Sequence, residues 1–178
     1  RENCPNDEEK ESFQLADYVN KLVENNWLGS KSGQGFYKKE VVDGKKAILA
    51  LNLKTMEYED QPKANFPVFA LTKTIDNLAE RTKVLYYSKD RAGEFYQKSF
   101  NGIFAYVSNR IPEITDDLYK IDDAMRAGFG WELGPFESWD AVGLEKSLAL
   151  VKAAGKTVAP WVEEMLAKGF TSFYKIED

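Results

Sequence analysis

The chain has 178 residues, of which 43% are hydrophobic, 13% aromatic and 30% charged, with a formal net charge of −5. A chain of this length buries roughly 70% of the surface its unfolded form exposes, enough for one sizeable core or two small ones, and so many aromatic residues exclude a disordered chain. Its acidic balance, with no basic run longer than the pairs Lys38-Lys39 and Lys45-Lys46, argues against binding nucleic acid or an anionic membrane, and no apolar run approaches the roughly 18 residues that cross a bilayer.

The single cysteine, Cys4, excludes an internal disulfide and fits a reducing, cytoplasmic setting. Histidine is absent. The commonest general base and zinc ligand are therefore missing, and any chemistry would fall to carboxylates, amides or residues supplied from elsewhere. The opening stretch RENCPNDEEKES lacks the apolar core of a signal peptide, and the missing initial Met points to an excised segment.

A first helix is predicted over about residues 7–26, where Leu15, Val19, Leu22 and Val23 fall at i, i+4, i+7 and i+8 on one stripe that needs a covering surface. Gly29 stops it, and Gly33 and Gly35 free the backbone for a turn before Phe36-Tyr37. Val41-Val42-Asp43-Gly44, then Ile48, Leu49, Leu51 and Leu53, followed by Met56 and Tyr58, predict a small hairpin or an extended linker with Asp43-Gly44 as its tight turn. Pro62 and Pro67 mark a boundary. Leu71, Ile75 and Leu78 then predict one helix ending by about Val84.

The next helix, about 90–111, places Tyr96, Phe100, Ile103, Phe104, Val107 and Ile111 on one face. Gly102, Ala105 and Asn109 lie beside them, small enough to admit a close neighbouring helix, and Pro112 ends or kinks the segment. Another helix starts near Thr115 or Asp122, either a candidate cap, and closes at Gly128 and Gly130. Gly134-Pro135 opens a further one with Pro in the first turn, after which Phe136, Trp139 and Val142 point inward. The last two run over about 144–154, ended by Gly155, and from Thr157 or Ala159 to Lys168, ended by Gly169. The fold class is mainly α, a helical bundle with a short β-hairpin or linker insertion.

Val158, Val162, Met165 and Leu166 repeat the spacing of Leu15, Val19, Leu22 and Val23 at a uniform offset of 143 residues, and Trp27 then corresponds to Phe170. Phe36-Tyr37-Lys38 recurs as Phe173-Tyr174-Lys175, with six residues fewer in the intervening turn. The two ends of the chain thus read as copies of one degenerate tandem duplication.

Within residues 109–143 stand the pairs Asn109-Arg110 and Ile121-Asp122, then Gly134-Pro135-Phe136, then Asp140 three residues before Gly143. In kind and spacing these resemble the helical C-terminal domain of the 3-hydroxyacyl-CoA dehydrogenases of fatty-acid β-oxidation. KSGQGFY, residues 31–37, resembles the K-[ST]-G-x-G-F-Y segment that closes the first helical domain of that family. The resemblance implies three parts: 1–39 as the tail of a first, truncated helical domain, 40–70 as a linker with a short hairpin, and 71–178 as a second helical domain.

By the same resemblance, the parent is a long bifunctional protein in which a dehydrogenase is fused to an enoyl-CoA hydratase. It would oxidise (3S)-hydroxyacyl-CoA to 3-oxoacyl-CoA with NAD, while this segment alone is inactive and holds no cofactor or metal. The implied partners are the NAD-binding domain of the same polypeptide, the acyl-CoA substrate and a second copy in a homodimer. A stand-alone acyl-CoA-binding or protein-interaction module that reuses the fold is the alternative.

Three residues are candidates for substrate contact. The family residue matching Asn109 helps position substrate near a His-Glu pair of the NAD domain, an amide suiting this role because it donates without titrating. Against that stands a structural hydrogen bond beside Arg110. Lys31 and Ser32 border a glycine turn whose amides could nest a phosphate, or that could simply stop a helix and anchor Phe36 and Tyr37. The pattern lacks G-x-G-x-x-G and a βαβ frame, so it is no dinucleotide fingerprint. Asp116-Asp117 and Asp122-Asp123 are read as helix caps. Glu132 and Asp140 are read as partners of backbone or arginine, and Trp131, Phe136 and Trp139 as core.

Overall fold

The computed structural model describes residues 2–42, 44–61 and 63–175. The chain divides into two compact units, Arg1–Ala64 and Asn65–Asp178.

In the first unit a 3-10 turn, Lys10–Phe13, precedes α1, Asp17–Glu24. The helix is shorter than its sequence suggests. Ala16 is extended, with ψ 151°, so Leu15 lies outside the helix. Before Leu15 only Phe13 and Cys4 are apolar, and a few turns with no stripe to bury do not sustain a helix. After a second 3-10 turn, Ser30–Ser32, come β1, Tyr37–Val42, β2, Lys45–Leu51, and β3, Tyr58–Asp60.

They form one antiparallel sheet in the order β1-β2-β3, with Tyr37 opposite Ala50 and Leu51 opposite Tyr58. The hairpin anticipated from sequence therefore gains a third strand. Gly44 has φ +74°, as a two-residue turn requires, whereas Asp43 and Pro62 lie outside the described residues. Leu22 and Leu51 form the buried centre of this unit, and Trp27 packs on Tyr58 with ring centroids 5.6 Å apart.

The second unit is helical: α2, Pro67–Thr72; α3, Leu78–Tyr87; α4, Arg91–Asn109; α5, Leu118–Phe129; α6, Pro135–Val142; α7, Leu144–Ala153; and α8, Pro160–Ala167. One helix expected through Leu71, Ile75 and Leu78 is two. Asn77 breaks it by capping α3, its Oδ1 accepting from Glu80 N at 3.0 Å, while Arg81 donates twice to Ile75 O. α4 starts as anticipated at Asp90, which accepts from Gly93 N at 2.9 Å and from Val68 N at 3.1 Å. Of the small residues on α4, Ala105 is buried, but a Cβ on Gly102 would meet open space, so no helix crosses there.

The core of this unit joins Tyr86, Phe104, Phe136, Trp139, Leu144, Val151, Val158 and Val162. Phe104 and Trp139 stack in parallel at 4.8 Å. Two polar pairs lie within it: Tyr86 donates to Asn101 Oδ1 at 2.6 Å, and Trp139 Nε1 donates to Ser147 Oγ at 2.8 Å. Among the described residues no helix is long and apolar enough to cross a membrane.

This core sets a contrast between two phenylalanines of α4. Phe104→Ala removes a fully buried ring and should destabilise the second unit by about 3–5 kcal/mol in urea denaturation, whereas Phe95→Ala, at a position 68% exposed, should stay within about 0.5 kcal/mol.

Candidate functional site

The signature residues of the second unit meet where α5, α6 and the chain after α8 come together. α6 opens with Gly134 at the capping position and Pro135 next, so it has no side chain of its own to receive its first amides. One carboxylate from another helix receives two of them, and one from α6 itself receives the amide of the capping glycine. Asp122, five residues into α5 and fully buried, accepts from Phe136 N at 2.9 Å and Glu137 N at 3.0 Å. Glu137 reaches back to Gly134 N at 2.7 Å and pairs with Arg126, which also holds Asp123 at 2.6 Å.

The glycine is required sterically, since a Cβ at position 134 would lie 2.3 Å from Asp122 Cβ and Cγ. Asp122 therefore does cap a helix, but not its own. The start of α5 falls instead at Leu118 behind Asp117, whose carboxylate pairs with Lys120 at 2.7 Å.

Asp140, at the far end of α6, accepts from Phe173 N at 2.8 Å and Tyr174 N at 3.0 Å. Tyr174 closes the circuit by donating its hydroxyl to Asp122 at 2.9 Å. Phe173 sits against Phe136, Trp139 and Trp161 at 5.0, 5.2 and 5.8 Å. These residues form a cradle that seats the end of the chain on the bundle.

Burial pushes the Asp122 carboxyl above the usual carboxylate range, against the opposing pull of the Phe136 amide, the Tyr174 hydroxyl and the Glu137 amide. Asp140 is raised by the same cause, opposed by the Phe173 and Tyr174 amides. Tyr174 is raised by burial and by its bond to Asp122, so it remains a donor. The arrangement supplies acceptors for four backbone amides and one hydroxyl donor, that of Tyr174, to Asp122.

Asn109 ends α4. Its Nδ2 donates to Ala105 O at 3.0 Å and to Thr157 O at 2.9 Å, tying α4 to the segment before α8. Beside it Arg110 pairs with Glu113 at 2.9 Å and lies over the Tyr106 ring. Ser108 belongs to the same seam and went unnoticed in the sequence: its Oγ accepts from Ala159 N, and its carbonyl accepts from Trp161 Nε1, both at 3.0 Å. An open apolar groove of about 400 Å3 runs past Phe95, Phe100, Ile103, Trp131 and Leu133, with the exposed Glu132 on its lining.

Lys31 and Ser32 lie in the first unit, both exposed, on the 3-10 turn between Gly29 and Gly33. The Ser32 hydroxyl accepts from Leu28 N at 2.9 Å and lies within reach of the Gly29 and Gln34 carbonyls. The amides of Gly29, Ser32, Gly33 and Gly35 all donate to carbonyls inside the loop. A Cβ on Gly35 would lie 2.8 Å from Gly29, so glycine permits the close crossing there. The turn opens into β1 rather than a helix, and the sheet is antiparallel, so these residues do not fit the pyrophosphate of NAD.

Asp140→Ala strands two amides and should cost the second unit about 1–3 kcal/mol, with faster hydrogen exchange at Phe173 and Tyr174. The pH dependence has a definite sign. With both carboxyls raised from 3.8, the folded state binds more protons than the unfolded one, so stability from these groups falls as pH rises from that value through their folded pKa values. The double variant Asp122→Asn/Asp140→Asn should flatten that fall in urea titrations; an unchanged slope would refute the assignment.

Residues 100–172 match the family described as 3-hydroxyacyl-CoA dehydrogenase, C-terminal domain. The chain is 41% identical over 167 residues, 94% of its length, to a Bacillus subtilis protein named "Probable 3-hydroxyacyl-CoA dehydrogenase". It is 29% and 27% identical, over 67% and 66% of its length, to proteins of Rickettsia felis and Rickettsia prowazekii named as fatty acid oxidation complex trifunctional enzymes. The chain spans about a fifth of the first relative's length, 21%, and 15% of each of the others. No solved structure matches it. The match begins inside α4 and ends just before Phe173, taking in Asp122, Gly134, Pro135 and Asp140, and over this stretch the chain belongs to the family of 3-hydroxyacyl-CoA dehydrogenase C-terminal domains.

Proposed function

We propose that the chain is the non-catalytic helical portion of a 3-hydroxyacyl-CoA dehydrogenase, a cytoplasmic oxidoreductase of fatty-acid β-oxidation. The full-length parent would oxidise (3S)-hydroxyacyl-CoA to 3-oxoacyl-CoA. NAD, bound on another domain of the same polypeptide, accepts the hydride. The observation that carries this reading is the 41% identity over 94% of the chain to a relative whose name is that activity and of which the chain spans 21%.

The chemistry of the side chains supports it. There is no histidine to abstract the hydroxyl proton, and the buried acids are committed to backbone amides. The chain's work is then to complete the acyl-CoA cleft and to pack against domains or a second subunit. Residues 1–39 are the tail of a first helical domain, 40–70 the connection and 71–178 the second domain, α2 straddling the last boundary. Lys31 offers an exposed ammonium to a CoA phosphate, beside Ser32. Both Nδ2 hydrogens of Asn109 are engaged, so a substrate contact by this residue falls to Oδ1, which accepts from a donor rather than donating to an oxyanion.

The isolated chain should form no NADH from (3S)-hydroxyacyl-CoA and give no NAD binding heat in calorimetry, while the full-length parent does both. Measurable NAD binding by the chain alone would overturn the assignment. Acyl-CoA binding in a protein whose full length lacks hydride transfer would favour a stand-alone module.

A further inference from the structure

The repeat read from the sequence holds in three dimensions. α1 and α8 begin and end at residues separated by the same 143 positions. Val19 N donates to Ala16 O as Val162 N does to Ala159 O, and Trp27 N donates to Leu22 O at 2.8 Å as Phe170 N does to Met165 O at 3.1 Å. The Tyr18 ring meets Phe36 edge-on at 6.3 Å, and its counterpart Trp161 meets Phe173 edge-on at 5.8 Å.

What differs is the cover. In the second unit Val158 is 5% exposed and Phe173 lies on Phe136 and Trp139 with its amide on Asp140. In the first unit the matching Leu15, Phe36 and Tyr37 are 57%, 48% and 56% exposed. The Phe36 amide donates to no acceptor among the described residues.

We infer that this face of the first unit is half of a joint, and that its occupant is a helical segment of the same polypeptide repeating the cradle of residues 122–140. The inference rests on the proposed reading of residues 1–39 as the tail of a first helical domain. The chemistry required of the occupant follows from the second unit: two aromatic rings to flank Phe36, one carboxylate for its amide and another for the Tyr37 hydroxyl. The relatives are long enough to contain such a segment, since the chain spans 21% of the first. A second copy of this chain is not the occupant, because its own cradle is filled by Phe173 and Tyr174.

The test compares hydrogen exchange in this chain with that in the full-length polypeptide, each also carrying Leu15→Ser or Phe36→Ser. In the full-length protein the Phe36 amide and the amides of α1 should exchange about tenfold slower or more, and either variant should abolish that protection. In the chain alone the variants should leave the thermal midpoint in place, because both side chains are exposed. Equal exchange in the two proteins would overturn the joint, as would protection in the chain alone that grows with concentration, which would put a second copy on the face. Hydride transfer by the full-length protein is read separately, so an active enzyme with an unprotected face would refute the joint and leave the proposed function standing.

Discussion

The second unit depends on one buried carboxylate, that of Asp122, placed against the start of α6. A helix that opens with Gly-Pro has no side chain to receive its first amides, and in a closed interior water cannot receive them either. Asp122 supplies both acceptors from another helix, fixing α5 against α6 and, through the Tyr174 hydroxyl, both against the end of the chain. Interactions of this kind are worth up to about 2 kcal/mol in partly buried geometries, and removing one partner costs more than the bond contributes because the other is left desolvated.

The geometry gives physical reasons for the family signature. The aspartate of Ile121-Asp122, the glycine and proline before Phe136, and the acid at 140 are the two ends of a single device, in which α6 is capped by one carboxylate and grips the returning chain with another. Gly134 is fixed by the 2.3 Å that a Cβ would leave to Asp122. Asn109, the signature residue to which the resemblance gives a substrate-positioning role, spends its Nδ2 on the seam between α4 and the segment before α8. This part of the molecule is built to hold shape.

Much of this was legible in the sequence because it is local. Helical periodicity, Pro135 and Pro160 in first turns and glycines past helix ends placed α4 through α8 within a few residues. The repeat was legible too, from apolar spacing and a recurring Phe-Tyr-Lys. The breaks were harder. Leu15 falls on the stripe of α1 yet lies outside the helix, and Asn77 outcompetes the apolar periodicity running from Leu71 to Leu78 by capping α3. The joint itself could not be read, because the acceptor for the α6 amides lies 14 residues away in sequence and becomes a cap only when α5 folds back. One signal was present: a Gly-Pro start lacks its own acceptor, so one must come from elsewhere.

If the signature acids hold the joint and take no part in the proposed reaction, that is seen most directly in the full-length polypeptide carrying Asp122→Asn or Asp140→Asn, by measuring the proposed hydride transfer per folded molecule alongside stability. The account predicts lower stability with turnover per folded molecule retained. A variant that folds as stably as the parent and loses turnover would contradict it.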